Sequence, residues 1–139
     1  MADNKPKLVF NISAQRLDAN GSIARCKDAE VILDTRLAGR SDALNPAELL
    51  LTAIAACIIK GIERVTPILK FEFSELEVSI SGVRQDSPPR MESIYYQIKI
   101  RSQESDSRLA LLHDNVKKFG TVYNTVAPGT DLQGELIRM

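Results

Sequence analysis

The chain has 139 residues, 44% hydrophobic and 26% charged, and its 18 basic and 18 acidic residues balance to zero. That length fits a single domain, residues 1–139, with one modest core. A neutral chain without a block of like charge argues against nucleic acid or an anionic membrane as partner.

The longest apolar run, residues 49–59, falls far short of the roughly 18–20 residues that span a bilayer. The opening Met1-Ala2-Asp3-Asn4-Lys5-Pro6-Lys7 lacks the apolar stretch of a secretory signal. We therefore expect a cytoplasmic protein, in which two cysteines stay reduced rather than forming a structural disulfide. One histidine, two distant cysteines and scattered glycines give neither a zinc spacing nor a phosphate loop, so no metal and no cofactor are expected.

In chain order, Leu8, Phe10, Ile12 and Ala14 alternate with Val9, Asn11, Ser13 and Gln15, which predicts a strand over residues 7–17. Asp18-Ala19-Asn20-Gly21 is a hairpin signal, because Asn-Gly tolerates positive φ. Strands over about residues 22–27 and 30–34 follow, with a turn or bulge at Lys27-Asp28. Residues 35–44 form a polar connector. Asn45 as cap and Pro46 at the first helical position then start a helix, with Glu48 in its first turn. It runs to about residue 65, where Thr66-Pro67 is expected to stop it.

Period two returns with Phe71, Phe73, Leu76, Val78 and Ile80, with a phase slip near Ser74-Glu75. Ser87-Pro88-Pro89-Arg90 reads as a wide exposed loop. Ile94, Tyr96, Ile98 and Ile100 give the returning strand. Ser105-Asp106 caps a second helix, whose stripe is Leu109, Leu112, Val116 and Phe119, with its stop at Gly120. A helical turn over residues 121–126 and a closing strand over residues 132–138 complete the order βββ-α-ββ-α-β, an α+β layout.

The first helix is apolar on every side, so other protein must enclose it. It carries Cys57. A free cysteine is a common small core residue. It becomes a reagent where a cation favours its thiolate, and Lys60 shares its helical face. Lys60 can equally extend into water. Ala53, Ala56 and Gly61 leave room for close approach. Cys26 sits on a predicted strand, where Arg25 and Lys27 point to the opposite face. His113 lies beside the core stripe of the second helix and reads as a partly buried or surface histidine. Arg36 and Arg40 belong to the polar connector.

Asn45-Pro46-Ala47-Glu48-Leu49-Leu50-Leu51 followed by Ala55-Ala56-Cys57 resembles the signature of the OsmC/Ohr family, the osmotically inducible C and organic hydroperoxide resistance proteins. Gly120-Thr121-Val122-Tyr123-Asn124-Thr125-Val126 is similar to the family's second motif. The resemblance implies an intertwined homodimer with the long helix at its centre and sheets wrapped around it. It also implies reduction of hydroperoxides, in which a thiolate becomes a sulfenic acid that a second cysteine resolves.

Two departures stand out. Gly120 takes the place of the second cysteine, and Ala47 that of the assisting glutamate. What carries over is Cys57 as nucleophile. Arg25, Arg40 and Lys60 are candidate assisting cations, and Cys26 is a candidate resolver. The reading is a thiol-dependent peroxidase whose partners are a hydroperoxide and an external thiol reductant. The alternative is a binding module that has lost catalysis and holds a small apolar or thiol-bearing ligand in its interface pocket.

Overall fold

The structure is a computed structural model that describes residues 5–139. The chain divides into two compact units, Met1–Leu49 and Leu50–Met139.

In the first unit, β1 (Ser13–Asp18), β2 (Gly21–Cys26) and β3 (Ala29–Leu33) form an antiparallel sheet in the order β1-β2-β3. The first strand is shorter than its alternation suggests. It starts at Ser13, and Leu8, Phe10 and Ile12 lie outside it, 85%, 78% and 67% exposed. Alternation makes a segment fit for a sheet, but a strand forms only where a partner supplies the ladder. The β1–β2 turn falls where expected, for a different reason. Asp18 and Gly21 are paired across it, and Asn20 N–H donates to Asp18 Oδ1 (2.7 Å). Neither Asn20 nor Gly21 has positive φ. At Gly21 a Cβ would lie 3.2 Å from the Leu33 carbonyl oxygen, a tight contact, and 2.6 Å from Arg40 Nη1, which can move aside. Lys27, with φ 56°, makes the β2–β3 turn. The connector is closed by buried Asp34, whose two oxygens accept from the N–H groups of Arg36 (3.2 Å) and Arg40 (3.0 Å).

Helix α1 spans Pro46–Leu69. Its start is a capping box: Asn45 Oδ1 accepts from Glu48 N–H (2.8 Å), and Glu48 Oε1 accepts from Asn45 N–H (2.9 Å). Pro67 does not stop the helix as expected. It sits in the last turn, where its missing N–H removes one bond. The helix closes behind it, with Phe71 N–H donating to Thr66 O (2.9 Å) and Lys70 N–H to Pro67 O (3.3 Å). Lys70 takes the left-handed conformation (φ 52°) that this closure needs.

The rest of the second unit is a sheet of order β4-β5-β6 with two helices. Strand β4 (Glu75–Asp86) pairs antiparallel with β5 (Pro89–Arg101). Phe71 and Phe73 precede β4, and its register shift lies at Val83/Arg84 rather than at Ser74-Glu75. The wide loop expected at residues 87–90 is a tight turn, because Asp86 pairs with Pro89. Proline fits there because Pro89 is the first residue of β5, a position where a missing N–H is tolerated. Helix α2 (Asp106–Phe119) is capped by Ser105, and the short helix α3 (Thr121–Val126) follows. Strand β6 (Asp131–Arg138) pairs parallel with β5, as the helical crossover requires.

The core of this unit joins Ile54, Ile58, Ile62 and Val65 of α1 to Leu109, Leu112 and Val116 of α2 and to Ile94, Tyr96, Ile98 and Ile100 of β5. Spacings of four, four and three put the α1 residues on one stripe. Alternation puts the β5 residues on one face. Each such aliphatic side chain contributes about 1.5–3 kcal/mol by leaving water.

Gly134 of β6 faces the Tyr96 ring so closely that a Cβ there would overlap it. Gly129 has nothing within 4 Å. Gly134→Ala should destabilise the protein by about 1–3 kcal/mol through overpacking, and Gly129→Ala should leave it unchanged. Thermal melting of the two variants checks this, and equal midpoints would contradict it.

Candidate functional site

Cys57 occupies the fourth turn of α1 and is half-buried. At 100° per residue, Lys60, Gly61 and Arg64 follow it on the same face. Gly61 faces α2, and a Cβ there would make an ordinary contact with Val116 Cγ1 at 3.5 Å. One turn further, Arg64 Nη1 donates to Phe119 O (3.5 Å), at the C-terminal end of α2 where a cation is favoured.

Between these contacts the chain turns at Gly120. Its backbone is extended (φ −79°, ψ 117°), open to any residue, so the glycine is not there for a left-handed stop. Space is the constraint. A Cβ at position 120 would lie 3.2 Å from Cys57 Sγ, 3.1 Å from Val116 O and 3.1 Å from Tyr123 Cβ. In a disulfide the partner sulfur lies about 3 Å from a Cβ. Position 120, where the sequence resemblance puts a second cysteine, therefore has disulfide-compatible geometry toward Cys57.

The other candidates are placed as follows. Lys60 is exposed, and among the described residues no hydrogen bond or ion pair joins it to Cys57. Glu48 lies at the start of α1, its carboxylate engaged in the capping box. Cys26, Arg25 and Arg40 belong to the first unit and Cys57 to the second, and each unit positions only its own residues. Arg25 donates to Gln15 Oε1 (3.4 Å) and pairs with Glu30 at 3.9 Å. Arg40 is more committed. Its Nε and Nη2 donate to the two oxygens of Asp42 (2.6 and 2.9 Å), and Nη1 donates to Asn20 O (3.2 Å). The bond to Asp42 raises its pKa and lowers that of Asp42. Among the described residues no group of three His, Cys, Asp or Glu side chains is arranged to hold a metal.

The sequence reading missed two features. Arg64 stands seven residues after Cys57, a spacing that puts both on one helical line. The second feature is Tyr96, whose buried hydroxyl lies 2.6 Å from His113 Nε2. No local pattern marks that pair.

The family model described as "OsmC-like protein" matches residues 39–135. The chain belongs to the OsmC-like protein family. No curated protein matches it. Among solved structures it is similar to an OsmC-like protein from Mycoplasma pneumoniae, at 18% identity and TM-score 0.89, covering 96% of this chain and 99% of that one. It is also similar to the organic hydroperoxide resistance protein OhrB of Bacillus subtilis, at 15% identity and TM-score 0.69, covering 94% and 98%. A third is an organic hydroperoxide resistance protein OsmC from Legionella pneumophila, at 15% identity and TM-score 0.70, covering 94% and 98%. At these identities the likeness is one of fold. The α+β OsmC-like layout and its βββ-α-ββ-α-β order stand, with α3 as an added short helix.

In this OsmC-like chain Gly120→Cys should form a disulfide with Cys57 on mild oxidation. Non-reducing peptide mapping would show the linked peptides. Two free thiols after oxidation would contradict the geometry.

Proposed function

We propose that the chain is a single OsmC-like domain, residues 1–139, acting as a thiol-dependent peroxidase that reduces organic hydroperoxides through Cys57. The half-buried thiol beside Gly120 carries the reading: it is accessible, on the long helix, at the place the family signature puts the nucleophile. Family membership supports a stress-related redox role, and two structural neighbours are named as organic hydroperoxide resistance proteins.

The thiolate attacks the peroxide oxygen and becomes a sulfenic acid, and the alkoxide takes up a proton and leaves as the alcohol. With glycine at position 120, an external thiol condenses with the sulfenic acid and releases water. A second thiol molecule then frees Cys57. Arg25, Arg40 and Lys60 remain the candidate assisting cations, and Cys26 the candidate internal resolver. The setting we propose is cytoplasmic; among the described residues no helix is long and apolar enough to cross a membrane.

The working form is a homodimer. Leu8, Phe10, Ile12 and Ile68 are large apolar side chains left open to solvent on a single chain. A second copy that covers them removes that liability.

The test is turnover of cumene or tert-butyl hydroperoxide with a small thiol. Cys57→Ser should fall to the rate seen without protein. Equal rates for wild type and Cys57→Ser would overturn the proposal. A Cys26–Cys57 link in the oxidised protein, in place of a mixed disulfide, would move resolution inside the protein.

A further inference from the structure

The proposed reaction needs a sulfur from outside, and the structure marks the side from which it comes. Position 120 has disulfide-compatible geometry toward Cys57, and glycine there supplies neither Cβ nor sulfur. The neighbourhood of the absent sulfur is left to a thiol that arrives from outside. Arg64 borders that place. Its Nη1 donates to Phe119 O (3.5 Å), the carbonyl oxygen of the peptide that leads into Gly120. One hydrogen bond and one peptide unit separate the guanidinium from the missing Cβ, at most about 8 Å.

The cations of this region are unbalanced. Lys60 and Arg64 follow Cys57 on one face of α1, whereas Glu63, six residues after Cys57, falls about 120° away. Lys118 Nζ stands 5.4 Å from the centre of the Phe119 ring. The nearby Asp114 is paired with Lys117 (3.7 Å). Among the described residues Lys60, Arg64 and Lys118 make no ion pair, although the chain as a whole is neutral. An excess of one sign beside a reactive group favours a reagent of the other sign. Arg64 gives one N–H to Phe119 O. Arginine carries five, held in a flat fork that matches a carboxylate through two parallel bonds. The bond to the carbonyl directs the fork without filling it.

We propose that Arg64 is a specificity-determining residue for the resolving step, and that the reductant is a small thiol bearing a carboxylate a few bonds from its sulfur. The use of this anchor rests on the hydroperoxide reading, because only an oxidised Cys57 calls for the thiol. Arg64 lies on the side of position 120, where the resolving sulfur enters, which assigns it to the thiol rather than to the hydroperoxide. Once a carboxylate is paired with Arg64 at about 2.8 Å, roughly 5 Å remain to the gap, the reach of a two- or three-carbon chain. The thiol sulfur attacks the Cys57 sulfenic acid, the S–O bond breaks, and the hydroxyl leaves as water with the thiol's proton. A second molecule of the same thiol attacks the outer sulfur of the mixed disulfide. Cys57 leaves as thiolate and takes up a proton, and a symmetric disulfide departs.

Mixed-disulfide formation at Cys57 tests the anchor without hydroperoxide. Dithiodipropionate and hydroxyethyl disulfide, one anionic and one neutral, each transfer half of the molecule to the Cys57 thiolate and release the other half as thiolate. Intact mass with peptide mapping reads the rate at Cys57 apart from that at Cys26. The ratio of the anionic to the neutral rate should fall about tenfold in Arg64→Gln and be partly kept in Arg64→Lys. It should shrink at high salt in the wild type. A ratio unchanged in Arg64→Gln overturns the anchor, as does a lower melting temperature with both reagents slowed alike, the mark of a helix-capping role alone. Should Arg64→Gln not fold, the salt dependence of the wild type decides. Turnover of cumene hydroperoxide with mercaptopropionate or mercaptoethanol separates the two claims. An Arg64-dependent ratio with hydroperoxide left unreduced would overturn the functional reading and keep the anchor. Hydroperoxide consumed with no Arg64-dependent preference would overturn the anchor and keep the reading.

Discussion

The second unit depends on the close seating of the C-terminal end of α2 on α1. Gly120 is the tight point: a Cβ there would lie 3.1–3.2 Å from Val116 O, Tyr123 Cβ and Cys57 Sγ, whereas one at Gly61 would make ordinary contact with Val116 at 3.5 Å. Arg64 fixes the same junction by donating to the last carbonyl of α2. Because a Cβ at position 120 would press on its neighbours, residue size at that one point limits how the chain passes Cys57. The thiol is half-buried there, against a backbone rather than a side chain. Any chemistry at Cys57 takes place in the gap Gly120 sets.

Tyr96 is held in the same way. Gly134 clears space for its ring on one side, and His113 satisfies its hydroxyl on the other. A buried hydroxyl without a partner would cost about 1–3 kcal/mol. The pair therefore satisfies a need of this buried tyrosine, whose ring also meets that of Tyr123 edge-on.

Much of this was legible in the sequence. Asn45-Pro46 with Glu48 marked the start of α1, and Ser105-Asp106 that of α2, because caps are local chemistry. The stripe Leu109, Leu112, Val116 and the alternation Ile94 to Ile100 named the faces that became the core. The failures share one cause. Leu8, Phe10 and Ile12 alternate like a strand, but pairing is decided by a partner outside the segment. Pro67 was read as a stop, yet a proline in the last turn removes only one bond, and Lys70 could take the closing conformation. Ser87-Pro88-Pro89-Arg90 reads as a wide loop, although proline is tolerated at the first residue of a strand, where Pro89 sits. The Tyr96–His113 contact joins residues 17 apart on different elements, and no window of sequence contains it.

The proposed function turns on a single thiol. Gly120 removes an internal disulfide at the place the resemblance gives it, and Glu48 is engaged at the helix cap. On that reading the oxidised Cys57 is met by an external thiol, or by Cys26 as the candidate internal resolver. The most direct measurement is the mass of the intact protein after one equivalent of cumene hydroperoxide in the presence of dimedone, with the modified site mapped. The account predicts a dimedone adduct on Cys57, the signature of a sulfenic acid. An unmodified Cys57, with the hydroperoxide left intact, would contradict it.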